Sequence, residues 1–378
     1  MTKSITPNQI KENNKSLIYS YIYKNKNVSQ QDIAYNLHLS RPTVTTNLNS
    51  MEKSGLIKKS GQIDSEYVGR KPTAYSIVSD FRISIGVEIM RKEIKIIAVD
   101  LYGEKIALNT FELKYENTEL YFQKICYKIL EFIKTVNISD EQVLGVGFAM
   151  QALISPDNKM VTYGEILSCT GLSITEFSKY LPYPCSFVHD ANSAAISELW
   201  ISPELKNAFY LSISNHLGAA IISNDEILAG KHGHSATIEH IQIEPNGSLC
   251  YCGKKGCIET VCSLNALLND GESLDYFFKN VRNNDLEFVN RWIIFLTNLA
   301  KTINMLHLVY DTDFILGGHI ALYINEEDIA FIHKKIGEMT PFEEDNDFIL
   351  LSKMPENNIA IGGAISYIQD FLNNVSNF

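Results

Sequence analysis

One short stretch of this chain combines metal-ligating side chains with turn-forming glycines. His240 is followed by Cys250, Cys252 and Cys257 in an H-x9-C-x-C-x4-C pattern, and two glycines lie among the last residues of the motif. Three thiolates and one neutral imidazole complete a tetrahedral shell and leave no position for a catalytic water, so the pattern predicts a structural Zn2+ site. A single residue separates Cys250 from Cys252, which is too short for a comfortable disulfide. The alternative is a loop with three unligated cysteines.

The same stretch resembles the zinc motif of the ROK family, which contains repressors, uncharacterised reading frames and sugar kinases. The resemblance extends over essentially the whole chain and implies an α/β fold. It implies a two-lobed, actin-like ATPase body (ribonuclease H-like), preceded in the repressor branch by a winged helix-turn-helix. We therefore expect a DNA-binding domain at 1–78 and a ROK sugar-sensing body at 79–378. Lobe 1 is expected at about 79–190 plus the C-terminal helix, and lobe 2 at about 191–358.

The bulk composition fits two or three globular domains. The chain has 378 residues, of which 45% are hydrophobic and 20% charged, as in ordinary soluble proteins. Polar residues interrupt every apolar run before it reaches the length of a membrane span, and the N-terminal segment lacks the apolar region of a signal peptide. Seven cysteines, three of them in the metal motif, suit a reducing compartment. We expect a cytoplasmic protein with no membrane partner.

The charge is distributed unevenly along the chain. Residues 1–76 contain eleven Lys and Arg against five Asp and Glu, a net charge of +6. The whole chain carries −11, so the remainder carries −17. A basic N-terminal part on an acidic body indicates a polyanionic partner for the N-terminal part alone. Solvated lysines on a small domain are the alternative explanation.

Three helical patterns near the N-terminus predict a helix-turn-helix. They run over Asn14–Asn25, Ser29–Leu37 and Arg41–Ser54, and the third has Ser40 as its N-cap and Gly55 as its stop signal. The spacing of apolar residues predicts the buried face of each outer helix. For the first helix this face is Leu17, Ile18, Tyr21 and Ile22, and for the third it is Val44, Leu48 and Met51.

The opposite face of the third helix carries short hydrogen-bonding side chains, which is typical of a helix that reads the major groove. A hydroxyl-rich helix that only keeps the domain soluble is the alternative. The residues expected to contact DNA from this helix are Arg41, Thr43, Thr45, Thr46 and Asn49.

Two wing strands are predicted after this helix, at Leu56–Ile63 and Tyr67–Ile77. The Gly-Arg-Lys-Pro element between residues 69 and 72 resembles the basic wing of the family's repressors. Arg70 and Lys71 are therefore expected to contact phosphates or a narrow minor groove. The predicted partner is double-stranded operator DNA, bound by a homodimer or a tetramer.

The two phosphate-binding segments of the kinase branch are eroded in this chain. The resemblance places the family's Asp-x-Gly-Gly-Thr turn at Glu88–Lys92, which reads Glu-Ile-Met-Arg-Lys. The second segment, Gly-Thr-Gly-Ile-Gly in active kinases, lies at Ser214–Ala220 and reads Ser-Asn-His-Leu-Gly-Ala-Ala. Without the glycines the backbone cannot cradle phosphates. We expect no ATP binding and no enzymatic activity.

The resemblance implies that the sugar side is better preserved. His189 and Asp190 match the first two residues of the family's Asn-Asp-Ala-Asn element, whose Asp is the base of the kinases. Asp190 is expected to accept hydrogen bonds from sugar hydroxyls, to cap a helix, or both. His240 is expected to bind zinc through one nitrogen and a sugar through the other. Glu259 matches a sugar-facing carboxylate of the family.

One position departs from the family pattern. Where the kinases have Glu-x-Gly-His, this chain has Thr237-Ile-Glu-His, so Thr237 takes the position of the expected sugar-binding Glu. We expect Glu239, two residues further along, to point elsewhere. This difference leaves the identity of the sugar open among xylose, glucose, N-acetylglucosamine and small oligosaccharides.

Taken together, these patterns predict a DNA-binding transcriptional regulator, a repressor of carbohydrate metabolism genes, with a sugar effector and a structural zinc. Two alternatives belong to other classes: a sugar kinase with a DNA-binding appendage, and a constitutive DNA-binding protein with a vestigial pocket. Apolar helices are predicted to complete the body at Leu274–Val281, Phe288–Leu308 and Ile359–Leu372.

Overall fold

The computed structural model of the chain describes residues 6–63, 71–343 and 345–375. The strands in these ranges form a three-stranded sheet near the N-terminus, two five-stranded sheets and a two-stranded ribbon. None of the helices in the same ranges combines the length and the apolar character needed to cross a membrane. Helices and strands alternate through the body, which confirms the predicted α/β class.

The N-terminal domain is a three-helix unit closed by a small antiparallel sheet of order β1-β3-β2. Residues 64–70 lie outside the described residues, so the predicted start of the second wing strand and the predicted DNA contact Arg70 do too. The elements are α1 (Pro7–Asn25), β1 (Val28–Ser29), α2 (Gln30–Asn36), α3 (Arg41–Lys53), β2 (Ile57–Gln62) and β3 (Thr73–Ile77).

Helix α1 differs from its prediction in both its start and its buried face. It begins seven residues earlier because Thr6 and Gln9 form a reciprocal capping box. Ile18 and Ile22 are fully buried as predicted, but the third fully buried residue is Tyr19. The prediction was wrong for Leu17, whose side chain is 52% exposed. The face is rotated because α1 contacts the body as well as its own domain.

Helix α3 follows its prediction closely. The Ser40 hydroxyl accepts a hydrogen bond from the Thr43 amide, and the chain leaves the helix at Gly55 with φ +80°. The predicted packing residues Val44, Leu48 and Met51 are buried in the core of the domain. The helix is therefore fixed from one side and presents its other side to solvent.

The first five-stranded sheet has the order β10-β7-β4-β5-β6. Strands β4, β7 and β10 are parallel, and β5 and β6 are antiparallel additions at one edge. Its elements are β4 (Ile83–Ile89), β5 (Glu93–Val99), β6 (Lys105–Glu112), α4 (Glu119–Thr135), β7 (Val143–Met150), β8 (Leu153–Ile154), β9 (Val161–Tyr163), α5 (Thr175–Ser178) and β10 (Cys185–His189), with β8 and β9 forming the ribbon.

The second five-stranded sheet has the order β13-β12-β11-β14-β15. The predicted helices near residues 274, 288 and 359 are all present, with bounds that differ from the predicted ones by at most two residues. The elements are α6 (Asp190–Ile201), β11 (Asn207–Ile213), β12 (Leu217–Ser223), β13 (Glu226–Ile227), α7 (Glu259–Cys262), α8 (Leu264–Leu267), α9 (Leu274–Arg282), α10 (Leu286–His307), β14 (Asp313–Gly317), α11 (Glu326–Gly337), β15 (Ile349–Leu351) and α12 (Asn358–Asn373), and short 3-10 turns cover Ser79–Phe81, Asp140–Gln142, Ile238–His240 and His319–Leu322.

Two helices, α6 and α12, pack closely together between the sheets. The hydroxyls of Ser193 and Ser197 in α6 donate to the carbonyl oxygens of Ile359 and Asn358, each at 2.6 Å. Gly362 of α12 allows this approach, because a Cβ there would overlap the carbonyl oxygen of Ser193. The small residues thus join the two helices firmly, and the N-terminus of α6 lies at the cleft between the sheets.

Candidate metal centre, ligand cavity and DNA-binding face

The four predicted metal ligands meet at one point of the fold. The ligand atoms of His240, Cys250, Cys252 and Cys257 all lie within 4.8 Å of one another. The Cys252 and Cys257 sulfurs are 3.7 Å apart, and the Cys250 sulfur is 3.8 Å from Nδ1 of His240. A tetrahedral Zn2+ with Zn–S bonds of about 2.3 Å separates two sulfurs by about 3.8 Å. The donor set and its spacing therefore fit a closed Zn2+ site.

The thiols of the cluster would ionise readily only with a cation beside them. Burial, reinforced by the neighbouring sulfurs, raises the pKa of Cys250 to about 12. Thiols in such surroundings stay protonated unless a metal ion stabilises the thiolates. Nδ1 of His240 faces the cysteines, so Nε2 points to the other side, where the nearest carboxylate oxygen, on Glu239, is 3.8 Å away.

A small cavity of about 30 Å3 lies next to this cluster and opens toward a wider cleft of about 710 Å3 between the sheets. Four residues line both spaces: Gln151, Ile166, Asp190 and His216. Space of about 30 Å3 accommodates only one or two water molecules. A monosaccharide therefore requires the two sheets to separate or must extend into the wider cleft.

The predicted residues His189 and Asp190 lie on the wall of this cavity. Asp190 is the first residue of α6, and its Oδ1 accepts from the Ala191 amide at 2.8 Å. The Nε2 atom of His189 is 3.3 Å from the same oxygen. The turn from β10 into α6 thus presents a partly buried carboxylate and an imidazole side by side.

The structure places Glu239, and not Thr237, on the cavity wall. The Thr237 hydroxyl donates to the carbonyl oxygen of His234 at 3.0 Å, away from the cavity. Residues 238–240 form a 3-10 turn, and Ala236 just before it has φ +62°, so the local direction of the chain differs from a regular strand or helix. Burial, with the nearby charges of Asp190 and Glu259, raises the pKa of Glu239 to about 8.

Glu259 does not line the cavity, and it instead holds a residue that does. One carboxylate oxygen is 2.7 Å from Nδ1 of His216, and the other accepts from the Leu217 amide at 2.8 Å. His216 faces both the cavity and the cleft. From the sequence, His216 was expected only to be part of an eroded phosphate-binding segment. The one sequence signal for the pair of His216 and Glu259 was the acidic residue Glu259 itself, two positions after the last cysteine of the metal motif.

Tyr251 is a further wall residue that the sequence analysis missed. It lies between the metal-motif residues Cys250 and Cys252, and its ring meets the rings of His216 and His240 edge to face, both at 5.1 Å. Aromatic faces beside sugar sites pack against the apolar C–H groups of the ring. The metal loop therefore supplies one wall of the cavity directly.

The wider cleft is lined in part by long and charged side chains from the turn between β4 and β5. Met90, Arg91 and Lys92 at the β4–β5 turn all reach its surface. Lys95 of β5 pairs with the buried Glu88 of β4 at 3.5 Å. Desolvation raises the pKa of Glu88 in this position.

On the N-terminal domain, Arg41, Thr45, Thr46 and Asn49 are exposed on the outer face of α3. Thr43 is partly buried, and its hydroxyl is 2.8 Å from the hydroxyl of Ser40. The hydroxyls of Thr45 and Thr46 donate to the carbonyl oxygens four residues earlier, at 2.8 and 2.9 Å. Lys71 is exposed just before β3.

The protein consists of a winged helix-turn-helix followed by a body of two five-stranded sheets around a cleft. This arrangement is that of a DNA-binding-type domain joined to a sugar-kinase-type body. A "Winged helix-turn-helix DNA-binding" profile matches residues 12–58, and the "ROK family" profile matches residues 84–374. The chain belongs to the ROK family.

Its relatives include proteins named as transcriptional regulators. The DNA-binding transcriptional dual regulator NagC of Escherichia coli K12 is 27% identical over 259 residues, covering 67% of this chain and 63% of that protein's length. The xylose repressor of Bacillus subtilis strain 168 is 25% identical over 385 residues, covering 97% of this chain and 98% of its own.

Solved structures show the same fold. A ROK family transcriptional regulator, a homologue of the E. coli MLC protein, superposes with a TM-score of 0.77 at 18% identity over 97% of this chain and 98% of its own. A ROK family glucokinase from Streptomyces griseus, in complex with glucose and AMPPNP, superposes at 0.66 and 20% identity over 76% of this chain and 99% of its own. The predicted actin-like architecture is thereby confirmed.

Proposed function

We propose that the protein is a sugar-responsive transcriptional repressor of carbohydrate metabolism genes that binds operator DNA as a dimer or tetramer in the cytoplasm. The observation that carries the proposal is the coexistence of an exposed polar face on α3 with a carboxylate-lined cavity in the body. Relatives named as an N-acetylglucosamine repressor and a xylose repressor support it. Residues 1–78 form the DNA-binding domain, 79–190 with α12 form lobe 1, and 191–358 form lobe 2.

The operator is read by α3. Arg41, Thr45, Thr46 and Asn49 have the exposure and chemistry to contact base edges or phosphates, and Thr43 lies beside them at the start of the helix. Arg70 and Lys71 of the wing contact the backbone or the minor groove. The paired copies of the domain then set the half-site spacing.

The sugar binds where the small cavity meets the cleft. Asp190 and Glu239 accept hydrogen bonds from its hydroxyls, His189 and His216 supply further polar contacts, and Tyr251 packs against the ring. A Zn2+ held by the one histidine and three cysteines of the metal motif fixes the loop that carries Tyr251 and orients the free nitrogen of that histidine. Closure of the lobes on the sugar shifts the protein between two states with different domain spacing.

Two other functions are tested by one assay each. Phosphotransfer is disfavoured because bulky and charged side chains take the place of the phosphate-cradling glycines. An ATP-consumption assay with a sugar panel distinguishes a kinase from a sensor. If the protein is a constitutive regulator with a vestigial pocket, no sugar should stabilise the body against thermal unfolding.

The proposal is tested by thermal unfolding of the zinc-loaded chain with xylose, glucose, N-acetylglucosamine and their phosphates, and with ATP alone. A sugar at about one hundred times its Kd stabilises the folded state by about 2.7 kcal/mol. We expect a shift of a few degrees with one sugar and none with ATP. An ATP shift would favour the kinase, and no shift with any sugar would favour the vestigial pocket.

Glu239 and Thr237 are the two candidate sugar contacts just before the metal motif, and substitutions can distinguish them. We expect Glu239→Ala to weaken sugar binding by about 5- to 150-fold, because the truncation leaves a buried sugar hydroxyl without its partner, which costs about 1–3 kcal/mol. Thr237→Ala, the matched control two residues earlier, should leave the affinity within about twofold, since its hydroxyl points away from the cavity. Isothermal titration with the stabilising sugar measures both. The reverse order of effects would restore Thr237 as the contact residue.

DNA binding should depend steeply on salt. If the wing and the helix ends neutralise about five phosphates per protomer, the log–log slope of affinity against salt is roughly −4 to −5 per protomer. Lys71→Ala, at the proposed wing contact just before β3, should reduce the slope by about one phosphate contact. Asn49→Ala should weaken binding without changing the slope. An affinity independent of salt would contradict the proposed DNA interface.

A further inference from the structure

The N-terminal domain is packed onto the body through an aromatic contact. Tyr23 of α1 stacks on Tyr102, with ring centroids 4.9 Å apart and planes 20° apart. The Tyr23 hydroxyl also donates to the carbonyl oxygen of Leu101 at 2.9 Å. Beside this contact, Tyr19 meets Phe371 of α12 edge to face. The two units share one continuous apolar core at this junction.

The loop that carries Tyr102 is held in one shape. Oδ1 of Asp100 accepts from the amides of Tyr102 and Glu104, at 2.9 and 3.0 Å. Gly103 has φ +78°, a conformation that favours glycine. The loop therefore moves as a unit, and the Tyr102 ring moves with it.

Helix α6 holds this loop from the other side. The indole Nε1–H of Trp200, near the end of α6, donates to the Tyr102 carbonyl oxygen at 2.7 Å. A Cβ at Gly103 would lie 2.6 Å from the same nitrogen, so the indole fits against the loop with no spare room. A displacement of Trp200 must consequently displace the loop.

The opposite end of α6 is the proposed sugar site. Asp190 is its first residue, and ten residues of helix separate it from Trp200, roughly 15 Å of axial length. The two serine hydrogen bonds to α12 keep α6 aligned with that helix. An α-helix of this length is stiff, so its two ends move together.

We infer that sugar binding at Asp190 affects the DNA-binding domain through a chain of contacts, the link, formed by α6, Trp200, Tyr102 and Tyr23. The inference rests on the proposed function and deepens it by naming how the same site regulates DNA binding. A shift of the α6 N-terminus toward a bound sugar moves Trp200, the 100–104 loop and the stacked α1. Because α1 packs directly against the body, the domain reorients and the half-site spacing changes.

Tyr102→Ala tests the link in the full-length, zinc-loaded protein. The assay measures affinity for a DNA fragment selected by the wild-type protein from a random library, with and without xylose, glucose or N-acetylglucosamine. In the wild type, the stabilising sugar should change DNA affinity by about 5- to 150-fold. In Tyr102→Ala the sugar should change DNA affinity by less than about twofold, which is below the usual range of allosteric coupling. The thermal shift with the sugar should be retained.

Tyr127→Ala is the matched control, because Tyr127 is a 65% exposed tyrosine on α4 of the body. It should respond to sugar like the wild type. A full sugar response in Tyr102→Ala would overturn the link while leaving the proposed function intact. Absence of a sugar response in the wild type would overturn both.

A gentler variant gives an independent readout. Trp200→Phe keeps an aromatic ring but removes the N–H donor and part of the ring volume, and Trp292 is the one other tryptophan of the chain. We expect the stabilising sugar to change the tryptophan emission of the wild type, and we expect this change to be lost in Trp200→Phe. The sugar response of DNA binding should fall in parallel. An unchanged emission response in Trp200→Phe would overturn the role of Trp200.

Discussion

Replacing Cys252 with Ser should remove the metal and unfold the loop that walls the ligand cavity. Structural zinc contributes on the order of 10 kcal/mol of apparent folding free energy to the small motifs that it holds. If the body loses about 4 kcal/mol of folding free energy in this way, its Tm should fall by roughly 10 °C. Elemental analysis of purified protein and thermal unfolding with and without a chelator measure the two effects. The sugar-dependent thermal shift should disappear together with the metal.

Cys185→Ser is the matched control. Cys185 is partly buried in β10 and lies outside the metal cluster. It should keep a full complement of zinc and the sugar response. Equal zinc content in Cys252→Ser and in the wild type would contradict the four-ligand site. A sugar response that persists in zinc-free protein would contradict the role of the metal loop as a cavity wall.

Combining Arg41→Ala with Asn49→Ala should nearly abolish specific DNA binding. Loss of a good base contact costs about 1–3 kcal/mol, so two such losses correspond to at least about 30-fold. Both side chains are exposed on α3, whose packing residues lie on the opposite face, so the domain should keep its stability. Fluorescence anisotropy with the selected DNA fragment and with a scrambled fragment separates specific from non-specific binding.

Asn290→Ala provides the control for this pair. Asn290 is an exposed asparagine in α10 of the body, so its loss changes helix composition and leaves the DNA interface untouched. It should bind the selected fragment with wild-type affinity. If the Arg41 and Asn49 variant also binds normally, α3 is not the reading helix, and the wing would have to supply specificity.

Local rules account for the elements that the sequence predicted well. Helix α3 has a Ser N-cap, a regular apolar spacing and a terminating glycine, each of which acts within one or two turns. The metal cluster was predictable for the same reason, because a loop of eighteen residues contains all four ligands. The start of α1 was missed even though its capping box, Thr6 with Gln9, is also a local signal.

Tertiary context explains the remaining differences. Tyr19 is buried in place of Leu17 because α1 also contacts α12, and no pattern within α1 records that contact. Glu259 pairs with His216 across 43 positions of sequence, so its orientation depends on how β12 and α7 are brought together. Glu239 reaches the cavity because a left-handed residue and a 3-10 turn redirect the chain, and neither feature has a reliable sequence signal here.

We propose that a sugar bound in the body controls the affinity of the N-terminal domain for DNA. The most direct measurement is the affinity of the zinc-loaded, full-length chain for its selected DNA fragment, titrated with the sugar that raises its Tm. We expect this sugar to weaken DNA binding by about 5- to 150-fold, with no consumption of ATP. A DNA affinity that stays constant while the sugar occupies its site would contradict it.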